Sequence, residues 1–128
     1  MSEPEQSGQS VQVVGRIVLP SADTGRRPPR AAVVTVSVED TSRADAASTV
    51  IAEQRLTDVD LTAADDGLTF VVEVPASLVD RQARYSVRVH VDIGGTGEVS
   101  EGDFVSTRSH PALNTGQRGE LTIPVITV

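Results

Sequence analysis

The segment "RYSVRVHVDI", residues 84–93, alternates without a break between apolar and polar side chains. One face carries Tyr85, Val87, Val89, Val91 and Ile93, and the other carries Arg84, Ser86, Arg88, His90 and Asp92. A period of two residues is that of a β-strand with one buried and one solvated face, which is typical of antiparallel sheets. Parallel strands covered on both faces have unbroken apolar runs instead. The segment therefore predicts a half-buried strand of an antiparallel sheet.

The same alternation recurs in "VQVVGRIVL", "AVVTVSVED" and "LTFVVEV", and less clearly near the end of the chain. Gly15 indicates a bulge or a close approach between backbones. "EVSEGDFVST" is either one interrupted strand or two short strands around Gly102. Pro124 places the last strand, "ELTIPVITV", at a sheet edge or a bulge, because proline cannot donate a ladder hydrogen bond.

About seven such strands, separated by turn-forming residues, predict an all-β fold, an antiparallel two-sheet β-sandwich that is immunoglobulin-like or transthyretin-like. The length of 128 residues indicates a single domain. We expect this domain over residues 11–128, after a disordered N-terminal tail at residues 1–10 that has no side chains to bury.

The segment "DTSRADAASTVIAEQRL", residues 40–56, fits two structures. Ala47, Val50 and Ile51 have helical spacing, whereas the β-branched "STVI" favours a strand. Because strands flank the segment on both sides, we predict a loop followed by a strand over "STVIAEQRL", with Val50, Ala52 and Leu56 on one face. A short helical turn at residues 43–47 remains an alternative.

Tyr85 opens the clearest strand just after a polar corner that contains Asp80. This pattern predicts a tyrosine corner, in which the hydroxyl bonds back to the backbone a few residues upstream. The alternative is a core aromatic whose hydroxyl is solvated.

Composition excludes several classes of function. The chain has no cysteine, which removes disulfides, thiolate metal sites and cysteine nucleophiles. Its net charge is −7 and it has three aromatic residues, so it lacks the positive field and the stacking surfaces of nucleic-acid-binding proteins. We therefore expect a protein partner and no nucleic acid.

The first ten residues, "MSEPEQSGQS", contain no positive region and no apolar region of the kind found in signal peptides or membrane spans. As written, the chain is expected in the cytoplasm without direct membrane insertion. If an N-terminal signal has been removed, the expected location is the periplasm or envelope.

Two groups of arginines are the candidate binding residues. Arg26, Arg27 and Arg30 lie on a proline-rich loop, where their guanidinium groups could bind carboxylate or phosphate. Arg84 and Arg88 lie, with His90, on the polar face of the clearest strand, which could form a partner-binding surface. A solvated loop and a solvated sheet face are the alternatives.

The stretch "DVDLTAADDG" is a weak candidate metal loop, with hard oxygen ligands offered by Asp58, Asp60, Asp65 and Asp66. It departs from the EF-hand template, because Ala63 occupies the glycine position and Thr69 the glutamate position. We therefore expect a hydrated acidic connection, no metal site and no cofactor.

His90 and His110 are the only histidines, and we expect both to be exposed. No Gly-x-Ser-x-Gly segment presents a nucleophile to either of them. The sequence therefore predicts a protein that is not an enzyme.

Four blocks, taken in their order, resemble the YbaY/YscW family of small lipoproteins. They are Leu19-Pro20; Asp40 with Ser42 and Ala44-Asp45-Ala46, continuing to Ile51-Ala52-Glu53-Gln54; Tyr85-Ser86-Val87-Arg88; and Pro111 with Leu113 and Gly116. The resemblance covers residues 11–128. It implies a β-sandwich and, in one branch of the family, a pilot or chaperone lipoprotein that helps a type III secretion secretin reach the outer membrane.

Two functional hypotheses follow. The first is a non-enzymatic binding or accessory domain that uses an exposed edge strand or the arginine-bearing loop. The second is a pilot-like envelope lipoprotein domain that assists an outer-membrane secretion partner, with its anchor absent from the chain as written.

Overall fold

The computed structural model describes residues 9–20, 28–43, 47–62, 67–113 and 120–128. These residues form nine strands: β1 (Ser10–Val18), β2 (Arg30–Asp40), β3 (Thr49–Asp60), β4 (Leu68–Pro75), β5 (Tyr85–Asp92), β6 (Phe104–Val105), β7 (Pro111–Ala112), β8 (Leu121–Pro124) and β9 (Ile126–Thr127). A short 3-10 turn, Ala76–Leu78, follows β4. No helix in these ranges has the length and apolar character needed to cross a membrane.

The strands form two sheets that pack face to face, which confirms the predicted all-β sandwich. One sheet has three strands in the order β4-β1-β8. The other has six, in the order β3-β2-β5-β6-β9 with β7 also paired to β5. All pairings are antiparallel except β1 with β8, which is parallel.

The space between the sheets is filled mainly by valine, which suits a pleated sheet because its branched Cβ restricts the side chain to few rotamers. The alternating residues that were predicted to be apolar point inward on β2, β4 and β5. The core valines that are at most 1% exposed are Val34, Val36, Val38, Val72, Val74, Val87, Val89 and Val91.

The predicted tyrosine corner is confirmed. Tyr85 is 4% exposed, and its hydroxyl oxygen accepts a hydrogen bond from the Asp80 backbone nitrogen at 2.8 Å. The same hydroxyl donates to the Leu78 carbonyl at 3.3 Å. Tyr85 thereby fixes the start of β5 to the connection that leads into it.

Replacing Tyr85 with phenylalanine is expected to lower the free energy of unfolding by about 1 to 2 kcal/mol, because the ring stays buried while the Asp80 amide loses its acceptor. Urea unfolding of both proteins measures the difference. An unchanged midpoint would show that water replaces the hydroxyl at no cost.

A loop leads into strand β3 (Thr49–Asp60), as predicted, while residues 44–46 of the alternative helical turn lie outside the described residues. The predicted facing of Val50 is wrong. The register pairs Val38 with Ala52 but Glu39 with Val50, so Ile51 is an extra residue in a β-bulge. The bulge turns Val50, which is 49% exposed, onto the outer face and leaves Ile51 packed against the core.

The last strands close the sandwich on one side. β8 is an edge of the three-stranded sheet, as Pro124 predicted, and β9 is an edge of the six-stranded sheet. Val125, between them, is 3% exposed and donates its N–H to the Val18 carbonyl. On the opposite side, Gln54 of β3 accepts the Val71 N–H of β4 at 3.1 Å. The chain thus links the two sheets at both sides.

Gly15 is a site of close approach rather than a bulge, since its register with β4 is continuous. A Cβ atom there would lie 2.6 Å from both the Leu121 carbonyl oxygen and the Phe70 ring. The region around Gly102 contains one short strand, β6, preceded by a turn in which Gly102 has φ +96°.

Candidate functional site

The outer face of the six-stranded sheet carries both arginines that the alternation of β5 predicted for it. The register places Glu39 of β2 opposite Ser86, and Ser37 opposite Arg88. We call Arg84, Ser86 and Arg88, with the β2 residues beside them, the β5 outer face. Arg84 and Arg88 are both exposed, and the Arg88 side chain retains 70% of its accessible surface.

A carboxylate lies under Arg88. Glu39 is 7% exposed, and its two oxygens accept hydrogen bonds from Ser37 Oγ at 3.2 Å and from Ser48 Oγ at 2.5 Å. Arg88 Nε lies 3.7 Å from the same carboxylate. Glu39 therefore anchors one side of the guanidinium group, and the other N–H donors of Arg88 face solvent.

A pocket of about 280 Å³ opens at the end of this face, where β2 ends and β5 begins. Thr41 donates its N–H to the Arg84 carbonyl, which extends the ladder by one residue beyond β2. Arg84 in turn donates its N–H to Ser42 Oγ at 2.8 Å. The pocket is lined by Thr41, Ala83, Arg84, Tyr85, Ser109, Pro111 and Ala112. It combines the polar residues Thr41, Arg84, Tyr85 and Ser109 with a small apolar wall.

The hydroxyls around the pocket form a short chain. Ser86 Oγ accepts the His110 N–H at 3.1 Å and lies 3.2 Å from Ser109 Oγ. Either hydroxyl can donate to the other, so Ser109 Oγ has a hydrogen or a lone pair left for a ligand in the pocket, depending on which of the two donates. Strand β7, which pairs with Tyr85 and Ser86, holds this chain in place.

Of the other predicted arginine group, the structure describes only Arg30. Arg26 and Arg27 lie outside the described residues. Arg30 is the first residue of β2 rather than part of a loop, and its Nε donates to Asp58 Oδ1 at 2.7 Å. This hydrogen bond and the charge of Asp58 raise the pKa of Arg30, and Arg30 lowers the pKa of Asp58 in the same way. The Arg30 guanidinium is therefore already bound to a carboxylate.

Of the candidate metal loop, the structure describes two of the four aspartates. Asp58 and Asp60 belong to β3, because Asp60 pairs with Arg30 and extends the ladder. Asp60 accepts hydrogen bonds from the hydroxyl and the amide of Thr62, which lower its pKa. Asp65 and Asp66 lie outside the described residues. The two described aspartates thus have separate local partners.

The expectation that His90 is exposed is wrong. Its side chain retains 19% of its accessible surface, and Nε2 lies 2.9 Å from Oδ2 of Asp103, which is 1% exposed. Asp103 also accepts the N–H groups of Ile93 and Ser100, each at 2.9 Å. Burial opposes ionisation of Asp103, but these hydrogen bonds outweigh it and hold its pKa below the ordinary value. An ionised carboxylate only accepts, so the Nε2 hydrogen of His90 points at Asp103.

Asp92 was predicted to be solvated, but it is 3% exposed. Its two oxygens accept the N–H groups of Gly95 and Gly97, each at 2.9 Å. Ligand atoms of His90, Asp92 and Asp103 lie within 4.8 Å of one another, a spacing that a metal site also has. Each carboxylate oxygen, however, already accepts an N–H, so the cluster acts as the anchor of the loop at residues 93–103.

His110 was also expected to be exposed, but it is half-buried, and its Nε2 has no hydrogen-bond partner among the described residues. Burial, and to a lesser extent the charge of Arg108, lower the pKa of His110. Burial occurs because β7 holds the segment against β5: the His110 carbonyl accepts the Val87 N–H at 3.0 Å.

A lowered histidine pKa makes the fold less stable in acid. The unfolded chain takes up the proton first, so this contribution is complete above about pH 6.5 and is lost as the pH falls below it. We expect the melting temperature of the wild type to fall more steeply between pH 7 and pH 5 than that of His110→Gln. If the melting temperatures of the two proteins fall equally with pH, His110 is not buried in its neutral form.

The two histidines are not brought together. His90 contacts Asp103 near the far end of β5, whereas His110 is bonded to Ser86 and Val87. Neither is among the residues that line the pocket. The two histidines therefore do not share a site, and the arginine and hydroxyl residues around the pocket remain the candidate binding groups.

Comparison with protein families decides the family. The family model described as "Type III secretion system lipoprotein chaperone (YscW)" matches residues 9–123, which is most of the chain. The chain belongs to the YscW family. The resemblance inferred from the four sequence blocks is thereby confirmed. No curated protein matched the chain.

A solved structure with the same fold is an alternative pilotin from the type II secretion system of Vibrio cholerae. It has 20% sequence identity and a TM-score of 0.69, and the match covers 94% of this chain and 100% of that one. At this identity the likeness supports the fold of the YscW domain and nothing finer.

The blocks that carried the YscW resemblance lie at core and turn positions. Leu19 is buried, and Tyr85 forms the tyrosine corner. Asp40 accepts the Ser42 N–H, and Ser42 Oγ accepts the Arg84 N–H, so this block joins the end of β2 to the start of β5. Leu113, with φ +64°, ends the segment that contains β7. Three of these blocks contribute to the rim of the pocket, through Thr41, Tyr85 and Pro111.

Proposed function

We propose that this domain is a non-enzymatic, chaperone-like binding module of the bacterial envelope, and that it assists an outer-membrane secretion protein such as a secretin. The YscW family match over residues 9–123 is the observation that carries the proposal. The pilotin with the same fold supports it, because that protein also serves a secretion system.

The surface described above agrees with a binding role. The pocket at the end of the β5 outer face offers cationic and hydroxyl donors. Three hydroxyl-bearing residues line it, Thr41, Tyr85 and Ser109, and within the described part of the chain no histidine is among the lining residues. Nucleophilic catalysis by a hydroxyl depends on a general base such as histidine.

The experiment is deletion of the gene in its native host, followed by separation of inner and outer membranes. We expect the secretion protein that depends on this module to be depleted from the outer membrane and to return when the chain is expressed again in its native form. An outer-membrane protein profile that is unchanged by the deletion would contradict the proposal.

A further inference from the structure

We propose that the β5 outer face and its pocket bind an acidic, extended peptide segment of the partner protein, with one carboxylate in the Arg84 pocket and a second on Arg88. The inference rests on the proposed function in that it assumes a protein partner. It adds the chemistry and the spacing by which that partner is recognised.

Charge is the first argument. The chain has a net charge of −7, yet four exposed arginines lie on or beside this face: Arg43, Arg84, Arg88 and Arg108. Arg43 follows Ser42, which bonds Arg84, and Arg108 precedes Ser109 of the pocket. Within the described part of the chain, Arg88 is the one member of this group with a carboxylate inside ion-pair distance.

Acidic groups near the face are already bound. Asp40, close to Arg43, accepts hydrogen bonds from Ser42, and these bonds, with a smaller effect of the Arg43 charge, lower its pKa. Glu39 is buried beneath Arg88 with both oxygens bonded to serines. The charge of Arg84 therefore stays available for a ligand, and so do the outer N–H donors of Arg88.

The pocket chemistry is the second argument. A guanidinium group presents paired N–H donors that match the two oxygens of a carboxylate. The Ser109 hydroxyl, which is hydrogen-bonded to Ser86, lines the same pocket and can donate to this ligand when Ser86 donates to it. Ala83, Pro111 and Ala112 provide an apolar wall for the methylene groups of an acidic side chain. The pocket therefore suits a glutamate better than a bare inorganic anion.

Spacing is the third argument. Arg84 and Arg88 are four residues apart along one extended segment, so their Cα atoms are separated by about 13 Å, from a rise of about 3.3 Å per residue. An extended peptide has the same rise, and its residues i and i+4 lie on one face. Acidic residues at i and i+4 of the partner therefore match the two arginines.

The face does not suit a long polyanion. Duplex nucleic acid is bound through several phosphates at once, and the acidic chain repels it at long range. Farther along β5, the face ends at the Asp92 and Asp103 carboxylates, which leaves no continuous basic track. A segment with two carboxylates matches the number of arginines that the face offers.

A labelled synthetic nonapeptide with blocked ends tests the inference. It carries glutamate at its third and seventh positions and threonine or valine elsewhere, and its binding is measured by fluorescence anisotropy. We expect saturable binding that weakens between low salt and about 0.15 M salt, because the contacts are ionic and exposed. Peptides with glutamine in place of glutamate, or with the glutamates at adjacent positions, are expected to bind at least about tenfold more weakly.

Three variants of the native chain separate the site from general charge. Arg84→Gln and the double variant Arg84→Gln/Arg88→Gln are expected to lose about tenfold and at least about thirtyfold in affinity, respectively. Arg16→Gln removes the same charge from the three-stranded sheet, where Arg16 is paired with Glu120, and is expected to bind like the wild type. Since Arg84 and Arg88 are exposed and Arg16 is partly exposed, thermal melting should confirm that all three variants fold.

Several results would overturn the inference: equal affinity for the glutamate and glutamine peptides, full binding by the double variant, or loss of binding in Arg16→Gln. Tighter binding of anionic lipid vesicles or of duplex DNA to the same arginines would overturn the choice of a peptide ligand.

Failure of the inference can be told apart from failure of the proposed function. If the deletion strain loses its outer-membrane secretion protein while the double variant restores it fully, the function stands and this site does not serve it. If the peptide binds as expected while the deletion strain is unchanged, the site is real and its partner lies outside secretion.

Discussion

Replacing Asp103 with alanine should lower the free energy of unfolding by about 3 kcal/mol. The carboxylate is 1% exposed and accepts the N–H groups of Ile93, Ser100 and His90. Alanine leaves these donors without an acceptor in a region from which water is largely excluded. Chemical denaturation at neutral pH measures the loss.

A matched control is available in Asp60→Ala. Asp60 also accepts two hydrogen bonds, both from Thr62, but it is exposed, so water can replace it. We expect its unfolding midpoint to stay close to that of the wild type. Similar losses in the two variants would show that burial of Asp103 is not the source of the effect.

The Asp103 carboxylate also makes the stability of the wild type depend on pH in the acidic range. The pKa of Asp103 is lowered in the folded state, so its contribution is present above the ordinary carboxyl range, near pH 4, and is lost as the pH falls below it. In Asp103→Ala this part of the loss of stability with falling pH should be absent, although other carboxylates will still contribute to the pH dependence.

Replacing Gly15 with alanine should cost a similar amount, about 3 kcal/mol, through overpacking. The added Cβ would lie 2.6 Å from the Leu121 carbonyl oxygen and 2.6 Å from the Phe70 ring. The ring can tilt, but the carbonyl belongs to the β8 backbone, which must move away from β1. Thermal or urea unfolding measures the loss, and exposure of β8 amides to hydrogen exchange locates it.

Two further variants separate the causes. Gly94→Ala adds the same methyl group where the nearest atom lies 3.9 Å away, and we expect almost no change. The double variant Gly15→Ala/Phe70→Leu, compared with Phe70→Leu alone, relieves the ring contact, so Gly15→Ala should cost less there by only the part of the loss that the ring causes. Complete recovery would show that the β8 backbone does not resist the added methyl group.

Alternation of side chains predicted the layers of the fold well, because it records which face of each strand is buried. It placed the core residues of β2, β4 and β5 correctly, and a single polar corner before Tyr85 predicted the hydroxyl contacts that fix β5. It could not give the direction of the β1–β8 pair, since a strand of four residues has the same pattern whether it runs parallel or antiparallel.

The errors have two physical causes. Alternation assumes that the polar face of a strand is open to water, but the loop at residues 93–103 folds back over the end of β5 and buries Asp92 and Asp103. A signal was present in "DIGGTGE", since an aspartate before several glycines often accepts their amide hydrogens. Val50 was placed wrongly because one bulged residue reverses the facing of every residue beyond it.

Only part of the proposed binding surface could be predicted from the sequence. Arg84 and Arg88 follow from the period of two, but the pocket does not, because it depends on Thr41, on Ser109 and on the two residues of β7. These groups are up to 71 residues apart, as the numbers 41 and 112 show, and only the pairing of β5 with both β2 and β7 brings them together.

The passage of the chain from β8 to β9 has a consequence for the time course of folding. Residues 121–127 supply an edge strand to each sheet and place Val125 between the sheets, so neither layer is complete until the ribosome has released this segment. Pairing of β8 with β1 spans more than a hundred residues, which makes closure slow compared with local hairpins. The nascent chain thus stays incompletely folded, with its core valines accessible to chaperones, until β9 has been synthesised.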